Sequence, residues 1–243
     1  MARSASPSRW LFSVASALHR KDAPGLLALH RAAATEAPEW LQTADTGALA
    51  IAAGTPDAWG VQTLLEAGMP LTRTVLAYFL LASLKPEVDG SAAHHMWRLQ
   101  DFVASCQATW EVLAPHLRMD PPLALQAYED SLVFGNNGWT RIRFFAEIGC
   151  DVLAPLPHAG GFRTPLRWLW EFRDVARLEE LLAAGADPHT PDAEGWALTS
   201  ALAELGASTE GWTQDWARVS ARINRHDLNE SLATASALTR MRM

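Results

Sequence analysis

Cysteine is nearly missing from this chain: Cys106 and Cys150 are the only two in 243 residues. They have no metal-ligand spacing and cannot build a disulfide framework, so a reduced cytosolic protein is expected. Lysine is as scarce. Lys21 and Lys85 stand alone, arginine supplies the remaining basic residues, and 20 basic against 27 acidic residues leave a net charge of −7. The basic surface needed for non-specific nucleic-acid binding is therefore lacking. An acidic chain favours a basic partner. Long hydrophobic runs are also missing. The longest, Val75 to Leu84, falls well short of the roughly 20 residues a membrane helix needs. Arg3 and Arg9 open the chain without the apolar core of a signal peptide, because Ser, Pro and Arg interrupt it. The opening reads as a frayed terminus or, alternatively, as a secretion signal for a specialised apparatus. The expected location is cytoplasmic.

The motifs of common chemistries are lacking as well. There is no Gly-x-Ser-x-Gly, no His-Glu-x-x-His and no phosphate-cradling glycine loop ending in Lys-Ser/Thr. Eight histidines are scattered. The adjacent pair His94-His95, near Glu87 and Asp89, invites a metal reading. Neighbouring helical side chains point about 100° apart, however, and rarely chelate one ion, so a solvated loop is the expectation. Cys106 and Cys150 are expected at helix ends, buried rather than nucleophilic. Glu179-Glu180 and Glu129-Asp130 are expected on solvated helix faces. No catalytic set, metal or cofactor is expected.

What is present is an ordinary apolar content of 49%, enough for a core, and one stretch with a reason for each landmark. After Gly161-Phe-Arg-Thr-Pro165-Leu166, Pro165 suits a first helical turn, where its missing N–H costs nothing. Leu166, Leu169 and Trp170 then share one face. Asp174 restarts the chain. Leu178, Leu181 and Leu182 stripe a second helix, and Gly185 stops it as a left-handed cap. Asp187-Pro188 and Asp192-Ala-Glu-Gly195 build a turn. With its Thr164-Pro165-Leu166 opening, Leu181-Leu182 pair and Gly185-Ala186 turn, the stretch resembles one ankyrin repeat. Arg167 stands where that family has a histidine, which the resemblance implies removes one hydrogen bond between repeats.

The fifteen-residue step from Leu166 to Leu181 recurs between Leu49 and Leu64 and between Leu11 and Leu26. Around Leu49, Ala52-Ala53 fill small-residue positions, Val61 precedes Leu64-Leu65, and Gly68 caps. The middle is degenerate. Thr74 to Leu84 with Trp97 to Cys106, and Leu123 to Val133 with Ile142 to Ile148, read as two further helix pairs. An insertion around Pro86 to Ala93 splits the first, and a long loop at Phe134 to Gly138 splits the second. A last repeat starts at Gly195 and runs through Leu205. Trp212, Trp216, Val219 and Ile223 stripe a final amphipathic helix, with Arg218, Arg222 and Arg225 on or near its other side. The expected fold is all-α: a single ankyrin-like solenoid over residues 1–243. Repeats of stacked helix pairs run over 8–206, and a capping helix or tail over 211–240.

Eleven tryptophans are many for such a chain. Trp168, Trp170, Trp212 and Trp216 sit at helical spacing, as core residues do. Trp40, Trp59, Trp139 and Trp196 fall beside expected turns, where packing and partner contact are both open and Trp196 is favoured for contact. The ankyrin resemblance implies a binding face made of turn tips and the outer side of each first helix. Mapped here, that face comprises Thr46, Thr55, Phe162, Arg163, Glu171, Phe172, Ala193, Glu194 and Trp196. The loop residues Asn136, Asn137 and Trp139 join them as an insertion. The function implied is protein binding without catalysis, most specifically a bacterial immunity protein that sterically blocks a toxin. An intracellular scaffold or regulatory subunit, and a secreted host-directed effector, are the alternatives.

Overall fold

The computed structural model describes residues 7–36, 47–82, 92–134, 141–159, 161–207 and 214–241. The described residues are mostly helical, with twelve helices and one two-stranded hairpin. They form two compact units, one of residues 1–140 and 144–150, the other of residues 141–143 and 151–243.

The first unit opens with α1 (Pro7–Arg20), α2 (Ala23–Glu36), α3 (Ala48–Gly54) and α4 (Ala58–Glu66). Then come α5 (Arg73–Leu80), α6 (Ala92–Met119), α7 (Pro121–Phe134) and, from Phe144 on, α8 (Ile142–Glu147), whose first two residues belong to the second unit. Alternate helices pack together: α1 on α3, α3 on α5 and α5 on α7 make one layer, while α2 on α4 and α4 on α6 make the other. Each layer buries the apolar stripe of its helices. Leu64, Leu76, Phe79, Leu113 and Leu117 are fully enclosed, each contributing about 1.5–3 kcal/mol of burial.

Both hairpins α1–α2 and α3–α4 turn through one device. The Asp22 N–H donates to the Ala17 carbonyl at 2.9 Å, and the Asp57 N–H to the Ala52 carbonyl at 2.9 Å. Each aspartate then caps the next helix, accepting from the Gly25 N–H at 2.9 Å and the Gly60 N–H at 3.1 Å. These bonds satisfy donors that a helix start leaves unpaired. Aligned on this turn, Leu49–Leu64 matches Val14–Leu29, one helical turn along from the expected Leu11–Leu26. Val14 is buried and Leu11 only half-buried. Helix α1 starts 15 residues before its capping aspartate and α3 nine before its own, and Leu26 is fully buried while Leu29 is half-buried, so leucine spacing alone does not fix the register. Gly68 (φ +85°) and Gly149 (φ +95°) end α4 and α8 in the left-handed conformation glycine tolerates. The Met69 N–H reaches the Leu64 carbonyl at 3.2 Å, and the Cys150 N–H reaches that of Phe145 at 3.0 Å.

The middle departs from the expected short pair. Helix α6 runs 28 residues and continues through Pro115. His94 and His95 therefore lie in its backbone rather than in a loop, and Cys106 lies in its interior rather than at its end. Trp110 packs on Phe144 and Phe145, with ring centroids 5.5 and 5.2 Å apart, and Tyr128 packs on Phe145 at 5.4 Å. Asp130, buried and expected on a solvated face, takes a two-pronged pair from Arg73 at 2.8 and 2.6 Å.

The second unit holds β1 (Leu156–His158), β2 (Gly161–Arg163), α9 (Pro165–Glu171), α10 (Val175–Ala183), α11 (Leu198–Ala207) and α12 (Gln214–Met241). The antiparallel strands pair Leu156 with Arg163 and Pro157 with Phe162. This is the one place where the described chain leaves helix for sheet, at a stretch expected only to turn. Helices α9 and α10 repeat the device of the first unit. The Asp174 N–H donates to the Leu169 carbonyl at 2.9 Å, and Asp174 caps α10 at the Arg177 N–H at 3.0 Å. Gly185 (φ +100°) ends the helix. Helix α12 lies on α10 and α11 through buried Trp216, Val219 and Ile223. Trp216 meets the Trp170 ring at 4.5 Å. Trp212 is outside the described residues.

Candidate partner-binding face

The face is built on α9. Thr164 caps the helix, its hydroxyl accepting from the Arg167 N–H at 3.4 Å, and Pro165 occupies the first turn. Leu166 and Leu169 point inward and are buried. That orientation leaves Arg167, Trp168 and Glu171 on the outer side, because residues three and four apart share a helical face.

Two guanidiniums and three carboxylates interlock there. Arg163 reaches Glu171 at 3.1 Å and Glu194 at 3.5 Å. Arg167 reaches Glu171 at 3.1 Å, Asp192 at 2.7 Å and Glu194 at 2.7 Å. The Asp192 side chain is 0% exposed. Its other oxygen accepts from the Glu194 N–H at 2.9 Å and the Trp196 N–H at 3.0 Å, which folds 192–196 into a closed loop. The Asp192 N–H donates back to the Trp196 carbonyl at 2.8 Å. The Ala193 N–H donates to the Phe162 carbonyl at 3.2 Å, tying the loop to β2. Gly161 permits this approach: at φ +124° a side-chain carbon there would stand 3.0 Å from Ala193 Cβ.

Burial of Asp192 opposes its charge, but hydrogen bonds from Arg167 and from the Trp196 and Glu194 N–H groups outweigh it and hold its pKa below the usual carboxylate range. Glu194 is lowered too, chiefly by its hydrogen bond from Arg167. The Arg167 pKa is raised, first by its bond to Asp192. Arg167 thus holds three carboxylates on this face.

Aromatic rings frame this lattice. Trp168 lies parallel to Phe172, with centroids 6.3 Å apart and planes within 6°, and it stacks on His158 at 5.5 Å. Arg163 sits 5.7 Å over Trp168, and Arg167 5.9 Å over Trp196, both within cation–π range. Trp196 is half-buried against Trp170 at 6.3 Å, behind the tip it was expected to crown. Phe162 is 58% and Phe172 37% exposed.

Seven of the expected contact residues therefore fall in one neighbourhood: Phe162, Arg163, Glu171, Phe172, Ala193, Glu194 and Trp196. Thr55 belongs to the first unit, exposed in the α3–α4 turn, with its hydroxyl donating to the Ile51 carbonyl at 2.9 Å. Thr46, Asn136, Asn137 and Trp139, like Trp40, lie outside the described residues. Sequence reasoning missed Arg167, Asp192, Trp168 and His158 as parts of this face. The Arg167–Glu171 spacing, a helical i,i+4 pair, was the available signal for the first. Glu179 and Glu180, expected in solvent, are partnered. Glu179 accepts from Arg218 at 2.8 Å, and Glu180 accepts from the Ile142 N–H at 2.8 Å.

Among the described residues, no three His, Cys, Asp or Glu stand together to hold a metal ion, and no helix is long and apolar enough to cross a membrane. Burial pushes the Cys106 thiol up to about 12, away from the thiolate that nucleophilic chemistry needs. Compared with protein-family models, curated proteins and solved structures, the chain matches none.

Proposed function

We propose that this chain is a protein-binding module of the ankyrin kind, without catalytic activity. Its face over Phe162–Phe172 and Ala193–Trp196 would cover a functional surface of a partner. The observation that carries this reading is the pairing of exposed phenyl rings with a side-chain lattice already locked in place. Aromatic residues on a rigid support are what interface hot spots are made of, and pre-ordering lowers the entropy lost on association. The same capped turn in three helix hairpins supports the repeat reading, since each repeat must present its face in one register.

The specific role proposed is that of an immunity protein, which masks a toxin or effector enzyme by steric cover. A tight complex needs roughly 1,600 Å² of total buried surface, so the face on α9 would be the centre of a wider contact. The test is to capture the partner with a tagged chain from its native lysate and then assay that partner's activity with and without the chain. Activity abolished at equimolar chain supports the immunity role. A stable complex with full activity replaces it with a scaffold role. No stoichiometric partner contradicts both.

A further inference from the structure

Resting on the protein-binding reading, we propose that the face on α9 and β2 accepts a basic segment of its partner, an arginine or lysine beside an apolar residue. The basic group would meet Glu171 and Glu194, and the apolar neighbour would lie on Phe162.

The argument begins with which charges reach the surface. The Arg163 and Arg167 side chains are 16% and 13% exposed, whereas Glu171 and Glu194 are each 38% exposed. The guanidiniums lie behind the carboxylates, so the lattice shows its acidic side outward. Its composition agrees: three carboxylates against two guanidiniums leave one negative charge uncompensated. Asp192 is spent inward, on Arg167 and two backbone N–H groups. A carboxylate offers about four acceptor positions, so Glu171 and Glu194 can receive further N–H donors while keeping their arginines.

The apolar half of the recognition is fixed just as firmly. Phe162 stands on β2, whose carbonyl at that residue is held by the Ala193 N–H. Phe172 is backed by the Trp168 ring, and Trp168 by His158 and Arg163. An acidic partner segment would meet two carboxylates head-on, and a wholly apolar one would desolvate both without replacing their water.

The experiment pans a random dodecapeptide phage library on the full chain and on two variants, Glu194→Gln and Phe162→Ser. Both positions are partly exposed, and thermal melting shows whether each variant stays folded. The expected result is enrichment of peptides with Arg or Lys next to an aliphatic or aromatic residue. A synthetic peptide of that class should bind at least about tenfold more weakly to either variant, and more weakly as salt rises, as an exposed charge pair requires. Enrichment of acidic or uncharged peptides that Phe162→Ser still abolishes overturns the charge class while leaving the binding face standing. Basic peptides that bind both variants as well as the parent, or no enrichment over bare support, overturn the proposal and the face together.

Discussion

The hairpins α3–α4 and α9–α10 share a turn and differ in what their first helices carry. Helix α3 is Ala48-Leu-Ala-Ile-Ala-Ala-Gly54, with five of seven residues buried, and it packs on both α1 and α5. Helix α9 is Pro165-Leu-Arg-Trp-Leu-Trp-Glu171, with three of seven buried. Small residues suit a helix that neighbours approach closely on two sides. Long and aromatic residues suit one whose outer side must hold a lattice of ion pairs. The backbone device is thus independent of the use made of it. An aspartate cap, a six-residue turn bond and a glycine stop build the hairpin, and the residues between them decide whether it is packed away or presented.

The comparison breaks first if the two hairpins are unequal in their cores. Leu64→Ala and Leu181→Ala remove equivalent, fully buried side chains, and each should lower unfolding stability by about 2–5 kcal/mol in urea titrations. A cost below about 1 kcal/mol at either would deny their equivalence. Next in size is Asp192→Ala, which has no counterpart in α3–α4. It takes one of three carboxylates from Arg167, leaves two backbone donors without their acceptor, and should cost about 2–3 kcal/mol by the same assay.

The Asp192 contribution is pH-dependent. Its folded pKa lies below the unfolded value of about 3.9, so its contribution is complete above that value. It fades as pH falls through the lower folded pKa. Denaturation midpoints between neutral and strongly acidic pH should therefore fall less steeply in Asp192→Asn than in the parent.

Smaller effects sharpen the contrast at the third residue after each capping aspartate. At Gly60 a new Cβ would collide with Leu18 Cδ2 and stand 3.2 Å from Ala52 Cβ. Gly60→Ala should cost about 1–2 kcal/mol in spite of its helix-propensity gain. At the same place in α10, Arg177 is itself accommodated, with its Nε donating to Asp174 at 2.7 Å. Smallest is the cap alone: Asp57→Ala should lower the thermal midpoint by the equivalent of about 1 kcal/mol. Asp174→Ala should cost more, because buried Arg177 loses its carboxylate too.

Much of this was legible in the residues. Thr164-Pro165, Asp174 and Gly185 bounded α9 and α10 because caps and breakers act locally. The α12 stripe of Trp216, Val219 and Ile223 was legible because helical spacing survives without context. The register of α1 was not, since leucines one turn apart look alike until the Asp22 turn selects between them. The run of α6 through Pro115 was hidden by a residue that ordinarily ends helices. The α9 lattice was half legible. The Asp192–Gly195 turn was plain, but pairing it with Arg167, 25 residues earlier, takes a fold to bring them together. For Trp196 the residues left packing and contact both open, because its half-buried place against Trp170 takes the fold to see.

The most direct test of the central claim is amide hydrogen exchange on the chain alone and in complex with its captured partner. The account predicts slowed exchange across residues 161–172 and 192–196, with α3 and α4 unchanged. Slowing in α3 and α4 with none across α9 and the 192–196 loop would contradict it.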